Sequence, residues 1–504
     1  VSSLWLRHSK LNCDESGSSF ENIIIITIQG HGKFNHMVLL TCGMIMLNVS
    51  MESVGMGYVI TAAECELDLT SQHKGLINAA AFIGIISTSF LWGYLGDRFG
   101  RRRVMLPAML ASAVVSVASS FSTNVWMFLI LRILTGCLIS ASSATVYAYL
   151  GELHISSRRA AAIAWGSAFI SFSFIILPGL AWLIIPGKWS FTLGSALLVP
   201  WRVFIWLWCA PGLLAAGALL LLPESPKYMF SAKGPEAALP ILAKMYAWNH
   251  GLSVHDFPKI TASSTESNKT GFVGALKNIS LLFRPPLLKC VFISHISMFA
   301  VFMLSSGLYM WVPDILNSIL QSTSDHSISI CEIIHNKFET AKNESVAHTC
   351  KTDVSVGVFP ISMAMGAVFA ITYLAIGFFI NRIGRKTLYC GIMFVGGIAT
   401  IGAGFVPQGG AATALLIIAL CTGCAASILA AIAVDVFPTC LRAMAMCVMY
   451  MVGRGGAAVG SNILGATLNT HCQVAFTVFG VFTQTLPRLC LDLRPLDSYF
   501  WPQF

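Results

Sequence analysis

Stretches of 19 to 27 mostly apolar residues, separated by shorter polar segments, occupy most of this 504-residue chain. A helix rises about 1.5 Å per residue and a bilayer core is about 30 Å thick, so each stretch is long enough to cross a membrane as a helix. The pattern predicts spans at 37–63, 75–95, 104–122, 125–149, 160–185, 202–222, 289–313, 354–380, 388–406, 412–434 and 443–468. A twelfth begins near Cys472, but Val474 to Leu486 is apolar for only 13 residues before Pro487, Arg488, Asp492, Arg494 and Pro495. The expected fold class is therefore an all-α membrane protein whose last helix reads as incomplete, with an irregular tail over 487–504.

Composition agrees with that pattern. Hydrophobic residues make up 56% of the chain and charged ones 11%, more apolar surface than a soluble protein of this length can bury. A polar leader, 1–36, contains Ile23 to Ile26, too short to span, and has neither an initiating Met nor a cleavable signal pattern, which reads as a fragment. A six-span half, 37–222, is followed by a Pro-, Lys-, Ser- and Thr-bearing linker, 223–288, with a short helical pattern near Glu236 to Tyr246. The second half, 289–486, carries a long loop at 314–353.

The two halves share a phrase. Gly93-Tyr-Leu-Gly-Asp97-Arg98-Phe-Gly100-Arg101-Arg102 recurs 284 residues later as Gly377-Phe-Phe-Ile-Asn381-Arg382-Ile-Gly384-Arg385-Lys386. Glu152 with Arg159 recurs, within one residue of the same offset, as Asp435 with Arg442. Such self-similarity indicates two homologous membrane halves, a plan common among secondary transporters. The phrase has a physical logic as a cytosolic gate. Its glycines allow a tight turn, Asp97 can face the positive end of a helix, and its arginines can pair with a carboxylate such as Glu152. Asn381 replaces the acid in the second copy, so that latch lacks its charge.

The net charge of +9 follows topology. With the N-terminus inside, the inner loops hold 18 Lys and Arg against 6 outside, which places the N-terminus and the 223–288 linker in the cytosol. Nucleic-acid binding is not indicated. The same bias places loop 314–353 outside, where Asn343 begins an Asn-Glu-Ser glycosylation sequon and Cys331 and Cys350 are candidates for a disulfide. Closing that loop of roughly 20 residues contributes about 3 kcal/mol in the chain-entropy model. Two free thiols are the alternative. Cys421 and Cys424 lie inside an apolar span with no third ligand, so they read as packing residues rather than a metal or redox pair.

These residues carry a resemblance. The phrase at Gly93 resembles the loop motif of the major facilitator superfamily, and Pro223-Glu-Ser-Pro-Lys227 and Asp435-Val-Phe-Pro-Thr-Cys-Leu-Arg442 resemble motifs of its sugar-porter and organic-ion branches. A narrower resemblance is to the synaptic vesicle glycoprotein 2 family and its invertebrate relatives. It rests on Ala181-Trp182, Ile184-Ile-Pro186, Trp189-Ser-Phe191, Trp201-Arg-Val-Phe204 and Gly307-Leu-Tyr-Met-Trp311-Val-Pro-Asp314, and the likeness covers about 37–470. The chain departs from that family in lacking its long acidic N-terminal region and in its smaller loop after the seventh span. The resemblance implies a major facilitator fold of two six-helix halves.

Polar residues within the spans are the candidate solute or ion site. Glu52 lies mid-span, where a charge costs about 2.5–3.5 kcal/mol on insertion scales, so it is expected to face a cavity or to be protonated. The resemblance aligns Glu52 with an acidic position and Arg454 with a basic one, making Arg454 its expected counter-charge across the halves. A structural ion pair or a neutral acid is the plainer alternative. Trp182 and Trp311 match tryptophans that line the family's ligand cavity, although a tryptophan near a helix end is also an interfacial anchor. Arg132 couples proton movement in the reading the resemblance implies, or simply pairs with a nearby acid.

The function this supports is transport of a small organic solute, an organic ion or a sugar-like molecule, by alternating access, with protons as a candidate coupling ion. A non-transporting receptor or vesicle-associated binding protein with the same fold is the alternative. No nucleotide loop, metal cluster or nucleophile constellation indicates an enzyme, and no cofactor is expected. The chain is expected to be multi-pass, in the plasma membrane or an intracellular vesicle membrane.

Overall fold

The computed structural model describes residues 32–193, 196–257, 283, 285, 287–321, 329–343, 354–437 and 439–491. Ten helical segments among them are long and apolar enough to cross a membrane: Lys33–Ala62, Ser71–Phe99, Arg101–Ser119, Val125–Glu152, Ala161–Ile184, Pro200–Leu221, Leu287–Tyr309, Val358–Ile380, Arg385–Phe405 and Gly409–Ala433. Helices Thr439–Thr467 and Cys472–Leu491 follow as the eleventh and twelfth.

The last helix differs from the expectation. It runs for 20 residues, through Pro487, and is long enough for a span. A proline past the first turn removes one backbone hydrogen bond and kinks a helix without always ending it, and here the helix continues four residues beyond. The expected linker helix is present as Pro235–His250, after a shorter one at Pro226–Lys233. The long outer loop contains helices Val312–Gln321 and Ile330–Asn343. A small antiparallel hairpin, β1 (Phe191–Leu193) with β2 (Ala196–Leu198), precedes the sixth span. The leader, 1–31, lies outside the described residues.

Local chemistry sets the helix starts. Thr70 accepts from His73 N–H at 3.2 Å at the head of the second span, and Asn124 accepts from Met127 N–H at 2.8 Å at the head of the fourth. The first span breaks at Gly55, where a Cβ would stand 2.6 Å from the Trp208 ring. Within the halves, the second span packs on the fourth and the seventh on the eleventh. Between the halves, the second packs on the eleventh and the fifth on the eighth.

The repeated phrase folds alike in both copies. Gly100 and Gly384 take φ of +108° and +92°, a region that side-chain-bearing residues avoid, and each turns the chain from one span into the next. At Gly100 the need is also steric, since a Cβ would meet Glu224 Oε2 at 2.5 Å.

The outer disulfide differs from the expectation. Cys331 is bonded to Cys472, 141 residues away at the head of the twelfth span, with a Cα–Cα distance of 5.4 Å. Cys350 lies outside the described residues. The bond ties the start of the helix Ile330–Asn343 to the head of the twelfth span rather than closing a small loop. Asn343 is the last residue of that helix. Expressed in a glycosylating cell, the chain is expected to show a mass shift that endoglycosidase removes and Asn343→Gln abolishes; a glycan surviving that substitution contradicts the orientation.

Candidate functional site: a buried ion pair, two gates and a central cleft

Glu52 and Arg132 meet inside the N-terminal half. Glu52 Oε2 stands 2.8 Å from an Arg132 guanidinium nitrogen, with the two side chains 1% and 0% exposed. Arg132 also donates to the Glu52 carbonyl at 2.9 Å and to Ser116 Oγ at 3.1 Å, and its guanidinium lies 5.5 Å from the Trp208 ring centroid. Cys209 Sγ approaches the other carboxylate oxygen at 3.5 Å. First, third, fourth and sixth spans thus converge on one neutralised pair. Separating it would strand a charge in apolar surroundings.

This corrects the expected pairing of Glu52 with Arg454. Arg454, on the eleventh span, reaches across the halves and donates to Ser143 Oγ on the fourth. Arg132 is the nearer partner because it enters the N-terminal half at the depth of Glu52, whereas Arg454 faces the space between the halves.

The two tryptophans also separate. Trp311 is fully buried and donates to the Ser461 carbonyl and hydroxyl at 3.1 and 3.2 Å. Its ring edge would lie 3.2 Å from a Cβ at Gly465, beside Gly75 of the second span. It therefore packs where the halves touch. Trp182 is 44% exposed near the outer end of the fifth span.

An outer gate, not singled out from the sequence, joins the halves. Lys74 bridges Glu64 at 2.9 Å in its own half and Asp314 at 3.0 Å in the other, with its own side chain only 5% exposed. The hydroxyls of Tyr58 and Tyr309 stand 3.4 Å apart, Asn469 donates to Ser71 Oγ at 2.6 Å, and a Cβ on Gly57 would meet the Met310 carbonyl at 2.5 Å. Beside this closure, Glu66 accepts from Trp201 Nε1 at 2.7 Å and pairs with Arg202. In the sequence Lys74 looks like one orienting charge among several. The signal that could have marked it is a lysine on the outer side, against the charge bias, immediately before a span.

On the inner side the first copy of the phrase forms a charged cluster. Arg101 pairs with Asp97 at 2.7 Å and with Glu152 at 3.1 Å, and Arg159 donates to the Gly151 carbonyl at 2.9 Å. Glu224 accepts from the backbone N–H groups of Arg102 and Arg103 at 3.0 and 3.2 Å, capping the third span from the Pro223–Lys227 motif. Tyr149 OH donates to the Pro223 carbonyl at 2.6 Å. These contacts lie within one half. Asp97 is 75% exposed, so in this arrangement its pair with Arg101 is screened and weak. Arg98 is exposed, with its guanidinium 5.5 Å from the Phe99 ring. A Cβ at Gly93, Gly377 or Gly384 would meet nothing within 4 Å. Among the described residues, an ion pair between the halves is at the outer end, Lys74 with Asp314.

In the second copy, Arg385 donates to the Ala431 carbonyl at 3.3 Å and Arg382 stacks 4.2 Å from the Phe378 ring. The side chains of Asn381, Asp435 and Arg442 lie outside the described residues.

The match with the model of the Major Facilitator Superfamily extends over residues 38–334, more than half of the chain. The chain belongs to the Major Facilitator Superfamily. Among curated proteins it is similar to synaptic vesicle glycoprotein 2A of Rattus norvegicus and of Homo sapiens, 31% identical over 222 residues, covering 44% of this chain and 30% of each relative. It is also similar to synaptic vesicle glycoprotein 2C of Mus musculus, 29% identical over 243 residues, covering 48% of this chain and 33% of that one. The aligned region thus spans about a third of the length of these relatives. Among solved structures, a partially occluded inward-open form of the xylose transporter XylE from E. coli superposes with a TM-score of 0.66 at 16% identity, covering 92% of this chain and all of that one. A D-xylose–proton symporter superposes at 0.63, also 16% identical, over 92% of this chain and 98% of that one. At that identity the likeness concerns the fold, which is the all-α, two-half membrane architecture of this superfamily.

Proposed function

We propose that this chain moves a small organic solute across a membrane by alternating access, with proton movement linked to Glu52. The observation that carries the reading is the Glu52–Arg132 pair, buried inside a structure whose halves Lys74 and Asp314 join at the outer face. A carboxylate in such surroundings holds its charge only while its cation is beside it; when the pair separates, desolvation favours the protonated acid. Coupling then follows if the rocking of one half against the other alternately makes and breaks the pair. The xylose–proton symporter among the structural neighbours supports this by its chemistry, and the synaptic vesicle relatives leave a binding protein with little transport as the second reading.

Reconstituted vesicles separate the two. Uptake from a mixture of organic acids, organic cations and sugars, read by mass spectrometry with and without an inward proton gradient, is expected to show at least one solute concentrated by the wild type. Glu52→Gln, which keeps the shape and an acceptor for Arg132, is expected to lose gradient-driven accumulation and to keep solute exchange. Unchanged accumulation removes Glu52 from the coupling. Binding without flux in the wild type supports the receptor reading.

A further inference from the structure

Arg454 is a cation inside the protein that pairs with no carboxylate among the described residues. Its guanidinium donates to Ser143 Oγ, and the phenols of Tyr147 and Tyr450 and the thiol of Cys447 lie near it. Glu52 is taken by Arg132, and Asp97, which reaches Cys447, is paired with Arg101 at 2.7 Å. Charge in this depth of a bilayer normally faces a partner or a cavity.

The surroundings of Arg454 are a cavity wall. Cys447, Tyr450 and Arg454 recur at helical spacing along one stripe of the eleventh span, while Gly453 on another face packs against Met298 and Phe302. Ser143 and Tyr147, one turn apart on the fourth span, face that stripe from the other half. Although they lie between the halves, Tyr147 keeps 36% of its surface accessible and Cys447 is exposed. Ser167 faces Tyr147, and Ser427 faces Tyr373, whose phenol is in turn near those of Tyr147 and Tyr450. Rings close the apolar side: Phe302 lies 6.3 Å from Tyr450, Phe369 5.4 Å from Tyr373, and Phe174 4.9 Å from Phe369.

We propose that this cleft binds an organic anion with a flat apolar body, its negative group on Arg454 and the hydroxyls of Ser143, Tyr147 and Tyr450, its body among the rings. The proposal rests on reading the cleft as the solute site. It narrows the solute class to anions, because a cation would meet an unneutralised arginine, and a neutral polyol would leave that charge without a partner. A guanidinium offers paired donors to a carboxylate or sulfonate, and hydroxyls beside it can donate to the same oxygens.

Cys447 supplies a readout independent of transport. In phosphatidylcholine nanodiscs, where the lipid contributes no net anionic headgroup, the full chain is treated with N-ethylmaleimide and the Cys447 peptide is followed by mass spectrometry. Benzenesulfonate is expected to slow alkylation of Cys447 at concentrations where benzyltrimethylammonium and benzyl alcohol do not. Arg454→Gln is expected to weaken that protection at least tenfold and Arg454→Lys to keep part of it. A second measurement needs no bound ligand: an anionic methanethiosulfonate reagent is expected to modify Cys447 faster than a cationic one of similar size, with the ratio collapsing in Arg454→Gln. Protection by the cation equal to or stronger than that by the sulfonate, absence of anion-selective protection in the wild type, or a reagent ratio indifferent to Arg454→Gln overturns the proposal. Proton coupling is read from uptake and anion selectivity from Cys447 without any transport, so failure of the one and failure of the other are scored separately.

Discussion

Glu52→Leu is expected to destabilise the purified chain by about 3–5 kcal/mol, the range for removing one partner of a buried ion pair. Leucine takes away both the charge and the acceptor facing Arg132, leaving a guanidinium with Ser116 Oγ, the residue 52 carbonyl and the Trp208 face. Arginine cannot relieve this by losing its proton. The converse change, Arg132→Met, is expected to cost less, because the stranded acid can take up a proton and become neutral. The double variant, Glu52→Leu with Arg132→Met, fills the site with apolar side chains and is expected to recover most of the loss. Thermal unfolding of all three in detergent, scored as a double-mutant cycle, gives the coupling. If the double variant melts at the sum of the two single losses, the pair does not act as a unit and its role in the proposed coupling fails with it.

What the sequence made legible follows from constraints that act locally. Span positions follow from apolar length, and the turn after each repeated phrase follows from glycine, as the positive φ at Gly100 and Gly384 shows. The Arg101–Glu152 contact was readable because the repeat places an acid at the inner end of the fourth span. Pairings that depend on which helix face meets which were not readable. Glu52 has two arginines in the family pattern, and only the depth and rotation of the fourth span decide for Arg132. Cys331 is bonded to Cys472, 141 positions away, a pairing that sequence separation does not reveal. The twelfth helix runs further than an apolar count that stops at Pro487, because a proline can kink a helix without ending it. Lys74 was hidden because a single lysine at the outer membrane edge is one of a few exceptions to the charge bias, and nothing local indicates that its neighbour is Asp314.

Asp314→Asn is expected to shift the resting chain toward an outward-open arrangement by roughly tenfold or more. The substitution removes the carboxylate that holds the C-terminal half, while Lys74 keeps Glu64 at 2.9 Å in its own half and is not left unpaired. The loss therefore falls on the closed outer face and spares the stability of either half. A charge-assisted hydrogen bond contributes about 1.5–3 kcal/mol, which corresponds to a ten- to 150-fold change in the ratio of the two states. Glu64→Gln is the control, since it removes a partner that travels with Lys74 in both states and is expected to move the equilibrium less. Gln72, exposed at the head of the second span, and Leu320, 41% exposed in the outer loop of the other half, suit spin labels after conversion to cysteine. Pulsed dipolar distances between them are expected to gain a longer population in Asp314→Asn and to stay near the wild-type distribution in Glu64→Gln. Identical distributions in wild type and Asp314→Asn would show that the Lys74–Asp314 bridge does not hold the outer face, leaving its closure to Tyr58 with Tyr309 and to the packing of Gly57 on Met310.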